Sequence, residues 1–351
     1  MSAAASSHSM DSSSGADRRP EIIAEFETLR KLAATESAGA FKVRSYVAAI
    51  KAIQALPGPI TSMADLPPPT KGDGLSAKMR EKIEQILTTG SLSISAETRA
   101  RATALHAFQQ IYGVGPKKAA DLVAAGYTTV AALRTAAAAD PKLLNRNQLT
   151  GLRYYEQLQE RIPRTEMDAH AALLLHHKPA ALEGIIVGSY RRGRPDSGDI
   201  DMLLRVPRET DDAAAALRDY VTSLQTAGYI REVLAHGDHK CMAIATLPSG
   251  AGATTVSARR LDLLVTPPAE FPFAVFYFTG SDTFNVAVRA HALTMGLTLN
   301  EHALTQVSTG RPVTGIKTER DIFGVLRLAW VEPPDRTGPD AVTLITKVKT
   351  A

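Results

Sequence analysis

The chain has 351 residues, of which 44% are hydrophobic, and a formal net charge of +4. A chain of this size and composition can bury sizeable cores and is expected to divide into two or more domains. Its one cysteine, Cys241, excludes a disulfide framework and indicates a reducing, intracellular compartment. No apolar stretch is long enough to cross a bilayer, so we expect no membrane partner.

The charge is unevenly distributed along the chain. Residues 21–164 hold 19 Lys and Arg against 13 Asp and Glu, which leaves the remainder slightly acidic. A basic front half that precedes a carboxylate-bearing half favours a phosphate backbone as the partner.

Small and polar residues dominate positions 1–20, which we predict to be disordered. From Glu21 apolar residues recur at helical spacing, interrupted by Pro57-Gly58-Pro59 and Pro67-Pro68-Pro69. The pattern predicts short helices to about Leu92 and a second helical unit to about Pro163.

The sequence Gly113-Val114-Gly115-Pro116-Lys117 has the form of a helix-hairpin-helix turn, whose exposed amides can meet a DNA phosphate. An ordinary helix connection is the alternative for this pattern alone. An earlier counterpart at 72–76 is degenerate, because Ser76 stands where a second glycine is expected. Lys78 and Lys82 follow one helical turn apart, a spacing that is also typical of a solvated face.

Beyond residue 163 the chain alternates strand-like runs, at 184–187, 199–206, 241–247 and 261–265, with a helix near 213–227. Helices followed by a mixed sheet imply separate domains.

A glycine-punctuated basic turn precedes the second of these strands. It runs from Gly188-Ser189 through Arg192 to Asp199-Ile200-Asp201. Because strand side chains alternate, Asp199 and Asp201 are predicted to share one face while Ile200 enters the core. Two adjacent carboxylates repel each other unless cations lie between them. Each half of the motif alone is typical of a solvated surface, but together they indicate a metal-triphosphate site.

This motif resembles the nucleotidyltransferase superfamily. With Arg-Arg-Leu-Asp-Leu-Leu-Val at 259–265 and Tyr-Phe-Thr-Gly-Ser-Asp at 277–282, the chain resembles the X family of DNA polymerases, of the DNA polymerase beta-like type, from about residue 22 to 336. The resemblance implies an α+β multidomain fold: helical lyase and helix-hairpin-helix domains, then a nucleotidyltransferase palm with a mixed β-sheet and helices, then a small C-terminal nucleotide-selecting subdomain. The expected bounds are 1–20 for the disordered N-terminus, 21–97, 98–165, 166–270 and 271–337 for these four domains, and 338–351 for a tail.

The implied activity is DNA-directed DNA synthesis that fills short gaps in base excision repair, with 5′-deoxyribose-phosphate lyase activity. The implied catalytic residues are Asp199, Asp201 and Asp262, which hold two Mg²⁺ or Mn²⁺ ions, and the Schiff-base lysine Lys82. The implied nucleotide-binding residues are Arg161, Ser189, Arg192, Gly198, Tyr277, Phe278, Gly280, Asp282 and Asn285. The implied DNA-binding residues are Lys42, Tyr46, Lys78, Gly113, Gly115, Lys117, Lys240, Arg260 and Arg289.

Further expectations concern ions and partners. The resemblance implies a monovalent cation at the helix-hairpin-helix and gapped or nicked duplex DNA and deoxynucleoside triphosphates as partners. We expect a nuclear monomer, with an organelle or a virus as alternatives, while the sequence names no repair protein. Plain core packing is the expected role of Phe276 and Phe284.

The chain departs from the family at two places. Phe41 replaces a histidine near the lyase lysine, and it can still stack on a base. Leu264 replaces an arginine that pairs with a catalytic aspartate or with the glutamate matching Glu301. A template-independent nucleotidyltransferase, with the same triphosphate site, and a catalytically silent DNA-end-binding scaffold are the alternative functions.

Overall fold

The computed structural model describes residues 16–34, 39–70, 72, 74–248 and 257–345. The chain forms two compact units, one ending at Arg153 and the other beginning at Tyr154. Within the described residues, no helix is long and apolar enough to cross a membrane.

The first unit is helical. Its helices are α1 (Arg19–Ala33), α2 (Ala40–Gln54), α3 (Ala77–Thr89), α4 (Ala96–Gln109), α5 (Pro116–Ala124), α6 (Val130–Ala139) and α7 (Arg146–Arg153). Apolar residues at helical spacing place Ile22 and Phe26 of α1, Ile53 of α2 and Ile83 of α3 in one fully buried cluster. This packing explains why the periodicity of the sequence predicted these helices.

The N-terminal boundary differs from the prediction. Helix α1 begins at Arg19, and Asp17 already accepts a hydrogen bond from the backbone of Ile60 at 2.8 Å. Pro20 lies in the first turn, where its missing N–H costs nothing. The expected disorder therefore does not hold for residues 17–20, and residues 1–15 lie outside the described residues.

The second unit is an α+β fold. Its elements are α8 (Tyr155–Gln159), β1 (Ile162–Pro163), α9 (Arg164–His177), β2 (Glu183–Ile186), α10 (Gly188–Arg191), β3 (Asp196–Ser197), β4 (Ile200–Arg205), α11 (Ala213–Thr226), β5 (Ile230–His236), β6 (Lys240–Ala245), β7 (Arg259–Thr266), α12 (Phe271–Thr279), α13 (Asp282–Thr294), β8 (Leu297–Leu299), β9 (Leu304–Gln306) and α14 (Glu319–Val325). A mixed five-stranded sheet has the order β2-β4-β7-β6-β5, in which only β4 and β7 are parallel. Helices followed by a mixed sheet confirm the predicted α+β class.

One face of the sheet carries the larger core. Met202 and Leu204 of β4 and Leu217 of α11 are fully buried there. Cys241 of β6 lies in the same cluster, and burial raises the pKa of its thiol to about 11. A separate core joins α12, α13 and α14, and Phe276 and Phe284 are buried in it at 1% and 0% exposure, as predicted.

Two segments pack differently from their predicted domains: the C-terminal tail and the connection between α7 and α9. The backbone of Ala329 donates a hydrogen bond to Thr343 O at 2.9 Å, so the described part of the tail extends the last core. Residues 154–165, which we assigned to the helix-hairpin-helix domain, fold with the second unit, because Arg259 donates to Gln157 O and Glu160 O. The other domain boundaries stay predictions.

A buried polar network fixes the start of β7. Arg259 is 4% exposed and donates to both carboxylate oxygens of Glu166 at 2.7 and 2.9 Å. His170 lies one turn further along α9, 3.5 Å from Glu166, and bonds Tyr229 through Nδ1 at 2.8 Å. Burial outweighs the attraction of Glu166 and lowers the pKa of His170 to about 4.

We expect the free energy of unfolding to fall by about 2 kcal/mol between pH 7 and pH 5 because of His170. The folded state keeps the imidazole neutral down to a pKa of about 4, against an ordinary value of 6.5. The unfolded state therefore binds more protons as the pH falls through this window, and stability is lost. Urea unfolding at both pH values measures the effect.

Two variants isolate this contribution. His170→Gln should flatten the pH dependence, whereas His176→Gln, at an exposed position of the same helix, should keep it. Equal pH dependence in the wild type and His170→Gln would contradict the assignment.

Candidate active site

The sheet places two carboxylates side by side. Strands β4 and β7 are parallel, and their register sets Asp201 directly beside Asp262. Neighbouring strands lie about 4.8 Å apart, so the two side chains leave the same face as immediate neighbours. Ile200 and Leu261, the preceding pair in the register, are fully buried on the other face and fix this orientation. Asp199 stands just before β4 and is half-buried.

The Gly-Ser turn after β2 lies against one of these carboxylates. Gly188 has a φ of +62°, and a Cβ at this position would lie 2.7 Å from Asp201 Oδ2. Both the backbone conformation and the space therefore require glycine. Ser189 follows, and its Oγ donates a hydrogen bond to Ser197 Oγ at 2.9 Å.

The closeness of Asp201 and Asp262 makes negative charge unfavourable at this point of the sheet. Burial first, and the neighbouring charge of Asp262 second, raise the pKa of Asp201 to about 6. Lys240 and Arg192 oppose this rise. The site therefore favours any additional positive charge that can reach Asp201.

Two predicted DNA-binding residues contact the carboxylates. Lys240 Nζ lies 2.8 Å from Asp262 Oδ2. Arg260 forms an ion pair with Asp199 and lies 3.9 Å from Asp262. The cations of β6 and β7 thus neutralise part of the acidic cluster.

The chemistry of the cluster fits divalent metal ions. Three carboxylates form an oxygen-only donor set, which suits hard cations. Asp262 Oδ1 is buried without a hydrogen-bond partner, and a cation would satisfy it. In the part of the chain that the structure describes, no three acidic, histidine or cysteine side chains converge closely enough to hold an ion as they stand. Asp199 is turned towards Arg260, so this arginine competes for the third carboxylate.

Arg192 is placed to receive a phosphate. Its Nη1 donates to Thr279 O at 2.5 Å, while its Nε is buried without a partner. Burial is the main cause that lowers the pKa of this guanidinium. A Cβ on Gly280 would lie 3.0 Å from Arg192 Nη1, so glycine gives the arginine its space. A desolvated guanidinium with an unused donor suits an anionic oxygen.

Arg161 lies on the other side of the basic turn. It donates to Asp196 Oδ1 from Nε at 2.9 Å and from Nη2 at 2.6 Å. A Cβ on Gly198 would lie 2.9 Å from Arg161 Nη1. The structure therefore brings Arg161 and Gly198 together, held by an aspartate that we did not predict.

The predicted nucleoside pocket lies at the junction of α12 and α13. The rings of Tyr277 and Phe278 are 5.3 Å apart at the end of α12. Asn285 is 6% exposed, its Nδ2 donates to Tyr277 O at 2.7 Å, and its Oδ1 has no partner. Asp282 and Arg289 are exposed on α13. A buried acceptor without a partner is typical of a binding site.

A buried ion cluster ties the basic turn to the last core. Arg191 donates to Glu319 at 2.6 and 3.1 Å and contacts Thr279 Oγ1 at 2.5 Å. Arg336 is fully buried and donates to the same glutamate at 2.7 Å. Its guanidinium lies 5.0 to 5.8 Å from the centroids of four aromatic rings. The two adjacent arginines thus have different roles. Arg191 anchors the turn, and Arg192 faces the site.

Leu264 is part of an apolar cluster. It is 8% exposed and packs with Val187, Leu203, Ala274 and Val275. It also lines a cleft of about 500 Å³ whose wall includes Glu301.

The structure identifies a partner for Glu301. This carboxylate lies 4.0 Å from His302 Nε2. His302 also bonds Glu270 through Nδ1 at 2.7 Å, and that hydrogen bond is the main cause that raises the pKa of His302.

The predicted lyase residues lie on two helices of the first unit. Lys78 is exposed and Lys82 half-buried on α3. Lys42 and Tyr46 line one pocket beside α2. Phe41, the departure from the family, is 72% exposed.

The predicted helix-hairpin-helix turn lies between α4 and α5. Gly113 has a φ of +79°, and Gln148 Nε2 donates to its carbonyl at 3.0 Å. Gly115 caps α5 with extended backbone and no side-chain hydrogen bond. Lys117 is exposed in the first turn, whereas Lys118 donates to Leu143 O at 2.7 Å. At the earlier counterpart, Gly74 has a φ of +80°, while Lys71 and Asp73 lie outside the described residues.

The sequence reasoning missed Asp196, Arg191, Glu319 and Arg336. Each acts through a partner far along the chain, so local spacing carries no signal for it. The doubled arginine at 191–192 was visible, but the sequence could not tell which of the two faces the site.

Comparison with known proteins gives matches along most of the chain. Four family models match: a helix-hairpin-helix domain at 17–92, the fingers domain of DNA polymerase lambda at 106–159, the DNA polymerase beta palm at 161–268 and the DNA polymerase beta thumb at 274–337. The helix-hairpin-helix model covers the segment that we expected to be the lyase domain, and the fingers model covers the segment that we expected to be the helix-hairpin-helix domain, while the palm and thumb models follow them.

Two relatives that match most of this chain agree with these models. DNA polymerase lambda of Rattus norvegicus is 30% identical over 316 residues, which cover 84% of this chain and 52% of the relative. DNA polymerase lambda of Arabidopsis thaliana is 30% identical over 316 residues, which cover 83% and 57%. The chain thus spans about half the length of these relatives. Polymerase family membership implies the use of divalent metal ions. On this evidence the chain belongs to the X family of DNA polymerases and is beta-like.

Proposed function

We propose that the protein is a DNA-directed DNA polymerase that fills short gaps in base excision repair. The observation that carries this proposal is the register of Asp201 and Asp262 on parallel strands, with Gly188 packed against Asp201. Paired carboxylates beside a Gly-Ser turn and a guanidinium with an unused Nε donor suit transfer of a nucleotide from a triphosphate to a primer 3′-hydroxyl.

Asp199, Asp201 and Asp262 would hold two Mg²⁺ ions, which Mn²⁺ can replace. When bound, these ions lower the pKa of the primer hydroxyl and neutralise the triphosphate. Residues of the chain supply the remaining contacts. Ser189, Arg192 and the backbone at Gly198 bind phosphate oxygens, and Arg161 approaches from the side of Asp196.

Side chains of α12 and α13 select the nucleotide in this proposal. Tyr277, Phe278 and Gly280 line the sugar, where the close backbone leaves no room for a 2′-hydroxyl. Asp282 lies against the base, and Asn285 contacts the minor-groove edge of the new pair with its unpaired Oδ1. Arg289, Lys240 and Arg260 contact DNA, the last two once their carboxylate partners Asp262 and Asp199 hold metal ions instead.

The first unit would provide lyase activity. Lys82 Nζ condenses with the aldehyde of a 5′-deoxyribose phosphate, losing water. Loss of a C2′ proton then breaks the sugar C3′–O bond and leaves a 5′-phosphate on the DNA, and water hydrolyses the Schiff base to release the unsaturated sugar phosphate from the amine. Lys42, Tyr46 and Lys78 bind phosphate near this amine.

The expected partner is gapped or nicked duplex DNA. Its phosphate backbone is bound by Gly113, Gly115 and Lys117, with a monovalent cation at the hairpin. We propose a nuclear monomer. Template-independent transfer would leave Arg289 and the hairpin without duplex contacts, and extension of a single strand as fast as a gapped duplex would favour it. A silent scaffold would show no metal-dependent extension at all.

Asp262→Asn should reduce templated synthesis on a one-nucleotide gap by about a hundredfold or more, because it removes one charge from the metal-binding carboxylates. Duplex affinity, measured by fluorescence anisotropy, should stay within about twofold. Asp219→Asn, on the exposed face of α11, is the matched control and should extend normally. Near-normal synthesis by Asp262→Asn would overturn the metal assignment.

Lys82→Ala should remove most of the covalent adduct that borohydride traps on a 5′-deoxyribose-phosphate end, because borohydride reduces the Schiff base formed on this amine. Lys51→Ala, an exposed lysine of α2, serves as the control and should trap normally. Unchanged trapping by Lys82→Ala would assign the chemistry to another amine. Gap filling on an intact 5′-phosphate end should be unaffected.

Leu264→Arg should raise the ratio of kcat/KM for correct over incorrect nucleotides by about tenfold, since the guanidinium can reach Glu301 across the cleft and gate the aspartates. It should also lower Tm, because the substitution places a guanidinium in the apolar cluster that Leu264 occupies. Leu264→Met keeps the volume and should change neither quantity greatly. An unchanged ratio in a folded Leu264→Arg protein would show that Leu264 serves packing alone.

A further inference from the structure

A pocket in the first unit is lined by both apolar and cationic side chains. It has a volume of about 420 Å³ and lies between α1, α2 and α4. Half-buried Leu29 and Leu32 of α1 and buried Tyr46 line it together with the exposed Lys42 and Arg101. Lys42 and Tyr46 were predicted to bind phosphate, whereas Arg101 carries no assigned role.

Arg101 differs from the other arginines near it. Arg99, two residues earlier, holds Glu25 at 2.9 and 3.2 Å, and Arg30 of α1 holds Glu27 at 2.7 Å. Arg101 is exposed, and among the described residues it has neither a hydrogen bond nor an ion pair. Its guanidinium is therefore not used to hold the fold together.

Charged side chains of both signs lie near Arg101. Arg30 and Lys31 lower the pKa of His106, which lies five residues beyond Arg101 on α4, after the larger effect of its burial, and Glu27 opposes them. Asp121 lines an adjoining cleft with Arg101. Among the described residues no acidic side chain pairs with Arg101, so its charge can receive an anionic ligand.

We propose that Arg101 is a phosphate-binding residue that, with Lys42 and Tyr46, receives the 5′-phosphate at the downstream edge of a DNA gap. This inference rests on the proposed gap-filling function. A terminal phosphate monoester carries close to two negative charges at neutral pH, and the pocket offers two cationic side chains for it. The planar guanidinium can donate two parallel hydrogen bonds to such a group.

This role also accounts for Phe41. The phenyl ring cannot make the polar contact of the histidine that it replaces, and at 72% exposure it is free to stack on a base. Arg101 supplies a polar contact from a different helix. The substitution at 41 therefore changes the source of the phosphate contact rather than removing it.

The test compares one-nucleotide gaps that carry either a 5′-phosphate or a 5′-hydroxyl, with affinities measured by fluorescence anisotropy. The wild type should prefer the phosphate end, and Arg101→Gln should reduce that preference by about tenfold through loss of charge-assisted hydrogen bonds. Affinity for the hydroxyl end should change by less than about twofold. Arg101→Lys should keep part of the preference, because it retains the charge without the planar fork.

Lys51→Gln is the matched control, since it removes one positive charge from the same unit outside the pocket and should leave the preference unchanged. If Arg101→Gln weakens the affinity for both gaps equally, or for neither gap, the proposal is overturned. Failure of the wild type to bind either gap would instead overturn the proposed function, and the role of Arg101 with it. Extension of a primer–template without a downstream strand should be the same in all variants.

Discussion

Repulsion between two neighbouring carboxylates is the constraint around which the second unit is arranged. The parallel register of β4 and β7 sets Asp201 beside Asp262, and burial adds to the cost of their charges. The fold meets this cost with cations from adjacent strands, Lys240 and Arg260. Lys240 and Arg260 supply the positive charge that metal ions would supply, but they cannot activate a hydroxyl as a metal ion does. The strands that build the site therefore also neutralise its carboxylates.

The basic turn depends on distant support. Glu319 lies between Arg191 and Arg336, and two arginines on one buried glutamate leave a net positive charge behind the turn. The four aromatic rings around Arg336 supply the favourable environment that water would otherwise give. The basic turn is thus fixed from the core of α12, α13 and α14, because Glu319 holds Arg191, the neighbour of Arg192.

Sequence reasoning succeeded where a short-range rule applied. Alternation within a strand predicted that Ile200 is buried and that Asp201 faces out of the core, and glycine chemistry predicted the turn at Gly188. It failed where the outcome depends on register between distant segments. The pairing of Lys240 with Asp262 follows from the position of β6 beside β7, and no local pattern specifies it. The early start of α1 likewise depends on Asp17 reaching Ile60.

Cys241 has a consequence for how motion in this molecule can be observed. It is the one cysteine of the chain, it is fully buried in the sheet, and its thiol resists ionisation. Thiol-directed reagents require an accessible thiolate, so the native protein is effectively silent towards them. A fluorophore or spin label attached to a cysteine introduced on the surface would therefore report from one known position, without any need to remove the native residue from the core.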